Sequence, residues 1–136
     1  MRFSCDAASD GGSRVTLRGS YGLFIGGSFV SGSSVFKTIS PATEEVLAEV
    51  THGTTEDVDR AVAAARHAYE RVWSVMPGRE RARYLLRIAR LMRERAADLA
   101  VLESLDSGKP IRQTRDVDLP LATAHFFYHA DRKSVV

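Results

Sequence analysis

The sequence predicts an α/β fold in which a β-hairpin and short strands precede three helices. Short apolar runs punctuated by glycine and proline fill residues 21–50, and apolar positions recur at helical spacing from residue 54 onward. Turn and capping residues stand at the junctions between them.

Residues 1–20 are rich in Ser, Gly, Asp and Arg and show no sustained period. They are expected to be a flexible leader, and a start codon assigned too far upstream would give the same composition. Order is expected from Tyr21. Leu23-Phe24-Ile25, Gly26-Gly27 and Ser28-Phe29-Val30 form a hairpin signal, because two glycines accept the positive φ angles of a tight turn. No G-x-G-x-x-G is present and no helix follows, so the pair is a turn and not a phosphate loop. Val35–Ser40 is a second strand ended by Pro41, and Val46–Val50 is a third.

Thr54 is positioned to cap a helix, with Asp57 returning the bond in a capping box. Val58, Ala61, Val62, Ala65, Tyr69 and Val72 share its apolar face. Trp73–Gly78 is the break. Pro77 opens a helix expected from about Arg79 to Leu105, roughly 40 Å long at 1.5 Å per residue. Gly108 suits its left-handed end and Pro110 prevents continuation. A third helical stretch covers about Ile111–Ala130, with Pro120 kinking or splitting it and Asp118 placed to cap the second half.

With 136 residues the chain is long enough for one core. Hydrophobic residues at 44% and charged residues at 26% fit a soluble globular protein. A net charge of +2 argues against nucleic acid or an anionic membrane as partner, and the Arg-rich stretch 79–95 reads as a solvated helix face. One cysteine, no apolar run of membrane-spanning length and no secretory h-region place the protein in the cytoplasm.

Few residues offer chemistry. Cys5 is the single thiol, in the leader and without a base nearby in sequence. His125 and His129 have the i, i+4 spacing of zinc ligands, but Phe126 stands where H-E-x-x-H needs glutamate, so they read as a packed or surface pair. His52 and His67 read as surface residues. The aromatics Phe126, Phe127 and Tyr128 read as packing.

Five strings in order resemble the N-terminal region of the NAD(P)-dependent aldehyde dehydrogenase superfamily. They are Leu23–Val30; Phe36–Ala48, similar to T-[IV]-N-P-A-T-G-E-V-[IL]; Glu56–Arg66, similar to D-V-D-x-A-V-x-A-A-R; Glu80–Leu86; and Leu102–Pro110, similar to L-E-[ST]-L-D-[NTS]-G-K-P. Ser40 replaces the family's Asn and Glu44 its Gly, both turn substitutions that weaken local geometry. The resemblance spans 21–130 and implies part of a cofactor-binding, Rossmann-like domain. It implies a parent enzyme that oxidises a small-molecule aldehyde to a carboxylic acid with NAD or NADP through a cysteine thioester, as a homo-oligomer. No catalytic or cofactor-binding residue of that chemistry aligns here, so the segment alone is expected to be inactive. The resemblance also implies a structural sodium or potassium ion held by backbone oxygens of Thr38 and Ile39 and by Asp106. After Tyr128-His129-Ala130 the family continues Gly-Trp; here Asp131–Val136 follows and is expected to be a non-native tail encoded by adapter DNA. The rival reading is a stand-alone helical interaction module without catalysis.

Overall fold

The computed structural model describes residues 2–4 and 14–131. The segment expected as a flexible leader is only partly within them. Its described parts include β1 (Arg2–Ser4) and β2 (Arg14–Thr16), paired antiparallel, and Leu17 is buried. Cys5 and the residues of the expected tail beyond Asp131 lie outside the described residues.

The hairpin forms where the sequence places it. β4 (Leu23–Ile25) pairs antiparallel with β5 (Ser28–Val30), and Gly26 and Gly27 carry φ of +61° and +88°. Positive φ at both central residues is the requirement of the tight turn that matches strand twist. A separate three-stranded sheet has the order β3-β7-β6. β6 (Val35–Ile39) and β7 (Val46–Thr51) are antiparallel, whereas the two-residue β3 (Ser20–Tyr21) joins the other edge of β7 in parallel. That short parallel pairing has no periodic signal in the sequence.

The loop between β6 and β7 turns through Ser40, whose N–H donates to the Glu45 carbonyl at 2.9 Å and whose carbonyl accepts from the Glu44 N–H at 2.8 Å. Glu44 has φ +59°, the single described non-glycine residue with positive φ. The family pattern has glycine here, and the backbone shows why.

Helix α1 (Thr55–Ala68) begins with the capping box expected of Thr54 and Asp57. The Thr54 N–H donates to Asp57 Oδ2 at 2.9 Å, and the Asp57 N–H donates to Thr54 Oγ1 at 3.2 Å. The helix then widens into a π turn at Tyr69–Trp73, closed by the Ser74 N–H on the Tyr69 carbonyl.

The helix expected over 79–105 is two helices. α2 (Gly78–Glu94) and α3 (Ala96–Ser107) meet at Arg95, whose φ of −107° and ψ of 20° leave the helical region. The two halves pack on different neighbours: α2 lies against α5 (Leu119–Asp131), while α3 meets a second π turn (Thr114–Asp118) and β2. A straight rod cannot serve both surfaces, so the break follows from packing and leaves no mark in the apolar stripe.

The third stretch is divided as Pro120 requires, but by a π turn and not a capped split. A short α4 (Ile111–Gln113) leads into the second π turn, where the Leu119 N–H reaches back five residues to the Thr114 carbonyl. The wider turn carries the chain past a proline that has no N–H to give. Asp118 therefore does not cap α5.

The core is small. Ala89, Ala100, Val101, Leu119 and Ala130 are buried between the helices, and Leu47 and Ala48 under the sheet. The α1 face is left open, with Val58 and Val62 more than half exposed at 56% and 53%.

Two outcomes follow. Glu44→Gly removes the cost of a side chain in the left-handed region and should raise stability by about 1 kcal/mol; a denaturation midpoint that falls shows the turn is not strained. The Asp57 carboxyl is held below its ordinary value of 3.8, first by the Thr54 N–H, then by Arg60 and the Thr54 hydroxyl. A lowered folded value makes this stabilisation complete above about pH 3.8 and lost as pH falls below it. Asp57→Asn should therefore lower the neutral-pH melting temperature and flatten its acid limb; an unchanged limb refutes the assignment.

Candidate functional site

The three residues expected to hold a monovalent cation come from two distant parts of the chain. Thr38 and Ile39 end β6, and Asp106 lies in the last turn of α3. The fold brings them together: Thr38 Oγ1 donates to Asp106 Oδ1 at 2.5 Å, across 68 residues of sequence. Ile39 differs from the other two, since its side chain is half exposed and only its main chain can contribute.

Local features aim these groups. The β6–β7 register slips between Thr38, opposite Ala48, and Ile39, opposite Val46. Leu47 is the extra residue, and its side chain is buried. A bulge interrupts the regular ladder and turns main-chain groups out of it. On the other side, α3 ends in a left-handed cap at Gly108, φ +73°. A Cβ on Gly108 would stand 3.2 Å from Pro41 Cβ, so the absence of a side chain lets the Ser40-Pro41 turn close on the helix end. The observed pair, one carboxylate and one hydroxyl, offers hard oxygen donors with a single negative charge, the donor type that sodium and potassium prefer. Among the described residues there is no group of three His, Cys, Asp or Glu side chains suited to a metal of higher charge.

Lys109 next to this cluster was not singled out by sequence reasoning. Its ammonium donates to Asp118 Oδ2 at 2.8 Å and to Glu103 Oε1 at 3.1 Å. These bonds raise its pKa, the Asp118 bond first and then Glu103. Ser104 Oγ donates to the Lys109 carbonyl at 2.6 Å and fixes the loop that carries it. The available signal was the Gly-Lys-Pro string after a helix, combined with a carboxylate nine residues on.

The remaining candidates stay apart. His125 and His129 are exposed on α5, and the His129 ring meets Tyr128 edge-on at 5.4 Å. His52 packs edge-on against Phe36 at 6.4 Å, and His67 is exposed. The described residues do not fit a dinucleotide: Gly26-Gly27 lies inside a hairpin, and no glycine-rich turn leads from a strand into a helix N-terminus. No described helix is long and apolar enough to cross a membrane.

Comparison with known proteins bears on the family and the fold. The profile of the "Aldehyde dehydrogenase family" matches residues 29–134. An aldehyde dehydrogenase from Bacillus cereus, solved as an NAD+ complex, is 40% identical with a TM-score of 0.82, covering 86% of this chain and 24% of that one. Gamma-glutamyl-gamma-aminobutyraldehyde dehydrogenase from Burkholderia cenocepacia is 40% identical with a TM-score of 0.83, covering 88% of this chain and 25% of that one. HpcC from Thermus thermophilus is 42% identical with a TM-score of 0.75, covering 79% and 21%. The chain thus spans about a quarter of the length of these solved relatives. Family profile, order of elements and superposition all lead to one assignment: this chain belongs to the aldehyde dehydrogenase family.

Proposed function

We propose that the chain supplies the N-terminal part of an NAD(P)-dependent enzyme that oxidises an aldehyde to a carboxylic acid, and that it is inert alone. The supporting observation is the match itself. Residues 29–134 carry the family profile, and that span contains no cysteine to act as nucleophile. The span also lacks a dinucleotide cradle. The role of this part is then architectural. The open face of α1 and of the π turn after it, with Val58, Val62 and Val72 exposed, is apolar surface suited to packing against the rest of such a fold. The complete enzyme is proposed to act in the cytoplasm as a homo-oligomer.

Thr38, Ile39 and Asp106 are proposed to hold a structural sodium or potassium ion. The support is the Thr38–Asp106 contact beside a bulged strand end. An ion there would tie the end of β6 to the end of α3.

The 136-residue chain, incubated with NAD+ or NADP+ and a series of aldehydes, should give no reduced nicotinamide absorbance above the enzyme-free rate. Turnover that survives Cys5→Ser refutes the architectural role. The melting temperature should be higher in sodium or potassium chloride than in Tris hydrochloride at equal ionic strength. Asp106→Asn should remove that difference; identical melting in all three salts refutes the ion site.

A further inference from the structure

A cavity lies between the sheet and the helices, apart from the open α1 face. It has a volume of about 590 Å³, within the roughly 300–1,000 Å³ of small-molecule sites. Leu47 and Val50 of β7 form one wall, and Met92 of α2, Leu99 and Leu102 of α3 and Ala122 of α5 form the other.

The charged groups of the lining all have one sign. Glu103, Asp106 and Asp118 line the cavity, and no Lys, Arg or His does. Lys109 reaches two of these carboxylates from behind, so one ammonium serves Glu103 and Asp118. Asp106 receives the Thr38 hydroxyl. Three carboxylates against one ammonium leave a net negative edge on an apolar chamber. An anion meets repulsion there, and a neutral apolar molecule leaves the net negative charge uncompensated. The complementary shape and charge belong to an organic cation with an apolar body.

We propose that this cavity binds small apolar ammonium compounds, with the hydrocarbon body between β7 and α3 and the ammonium at the carboxylate edge near Asp106 and Asp118. The site is argued from these lining residues and their charges, not from the enzymatic reading. Sodium at Asp106 would compete with the ammonium, so a sodium-free buffer is the condition of choice.

The test is calorimetric titration of the 136-residue chain with 4-phenylbutylamine, 4-phenylbutanol and 4-phenylbutyrate in dilute Tris buffer free of sodium and potassium, whose hydroxylated cation has no apolar body to fill the cavity. The amine should bind with one site and about tenfold or more tighter than the alcohol, with the acid weaker still. Asp106→Asn should bring the amine to the affinity of the alcohol, and Ala122→Phe, which fills the chamber, should abolish binding of both. Equal affinity for amine and alcohol overturns the proposal, because the cavity is then only apolar surface. Absence of amine binding overturns it as well. Both results are read on the unmutated chain and do not depend on how the variants fold. Amine binding that survives Ala122→Phe in a folded variant places the ligand elsewhere and also overturns it. The nicotinamide assay of the enzymatic reading gives its own answer whichever of these is found.

Discussion

The fold turns on a short stretch where one cation answers two carboxylates. Lys109 leaves the end of α3, takes Glu103 from the helix it has just left and Asp118 from the π turn nine residues on. Half-exposed pairs of this kind are individually weak, and their value here is placement. With Ser104 holding the Lys109 carbonyl and Gly108 tucked against Pro41, the stretch 104–118 is joined to the helix before it, the helix after it and the strand end beneath it. The Thr38–Asp106 bond adds a fourth attachment. This junction seats the π turn that leads into α5 on α3, while α5 itself lies against α2.

The helices show how tertiary packing overrides local periodicity. The apolar stripe of residues 85–102 is continuous in sequence, yet the backbone breaks at Arg95, with Ala89 of α2 buried on one side of the break and Ala100 and Val101 of α3 buried on the other. Thr114 is fully buried and its hydroxyl donates to the Ala100 carbonyl at 3.0 Å, so the second π turn is seated directly on α3. The π turn and the break at Arg95 are two answers to the same demand, that three short helices share one small core.

What was legible in the sequence was what short-range chemistry decides. Gly26-Gly27 can turn a hairpin in few ways, Thr54 and Asp57 are three residues apart, and Gly108 precedes Pro110; each was read correctly from spacing alone. The parallel pairing of β3 depends on where β7 comes to rest, and Arg95 looks like any other helical arginine. Both are set by partners distant in sequence. The site divides in the same way. Thr38, Ile39 and Asp106 were named through a family resemblance, and the structure brings Thr38 to Asp106, whereas the Lys109–Asp118 pair was missed because Asp118 also has the sequence of a helix cap. The Glu44 substitution was visible as a departure from pattern, but only the φ of +59° gives it a cost.

The strand order β3-β7-β6 puts β6 at the margin of its sheet, with Val35, Phe36 and Ile39 each half exposed. A margin that is apolar and flat invites a foreign strand to add to it. Here Lys37 sits at its centre, opposite Glu49, and the bulge twists its far end just before Pro41. Charge, twist and a missing donor are the devices by which natural sheets deter such additions. The bulge that ends the regular ladder at Thr38 and Ile39 therefore also guards the molecule against polymerising through the same strand.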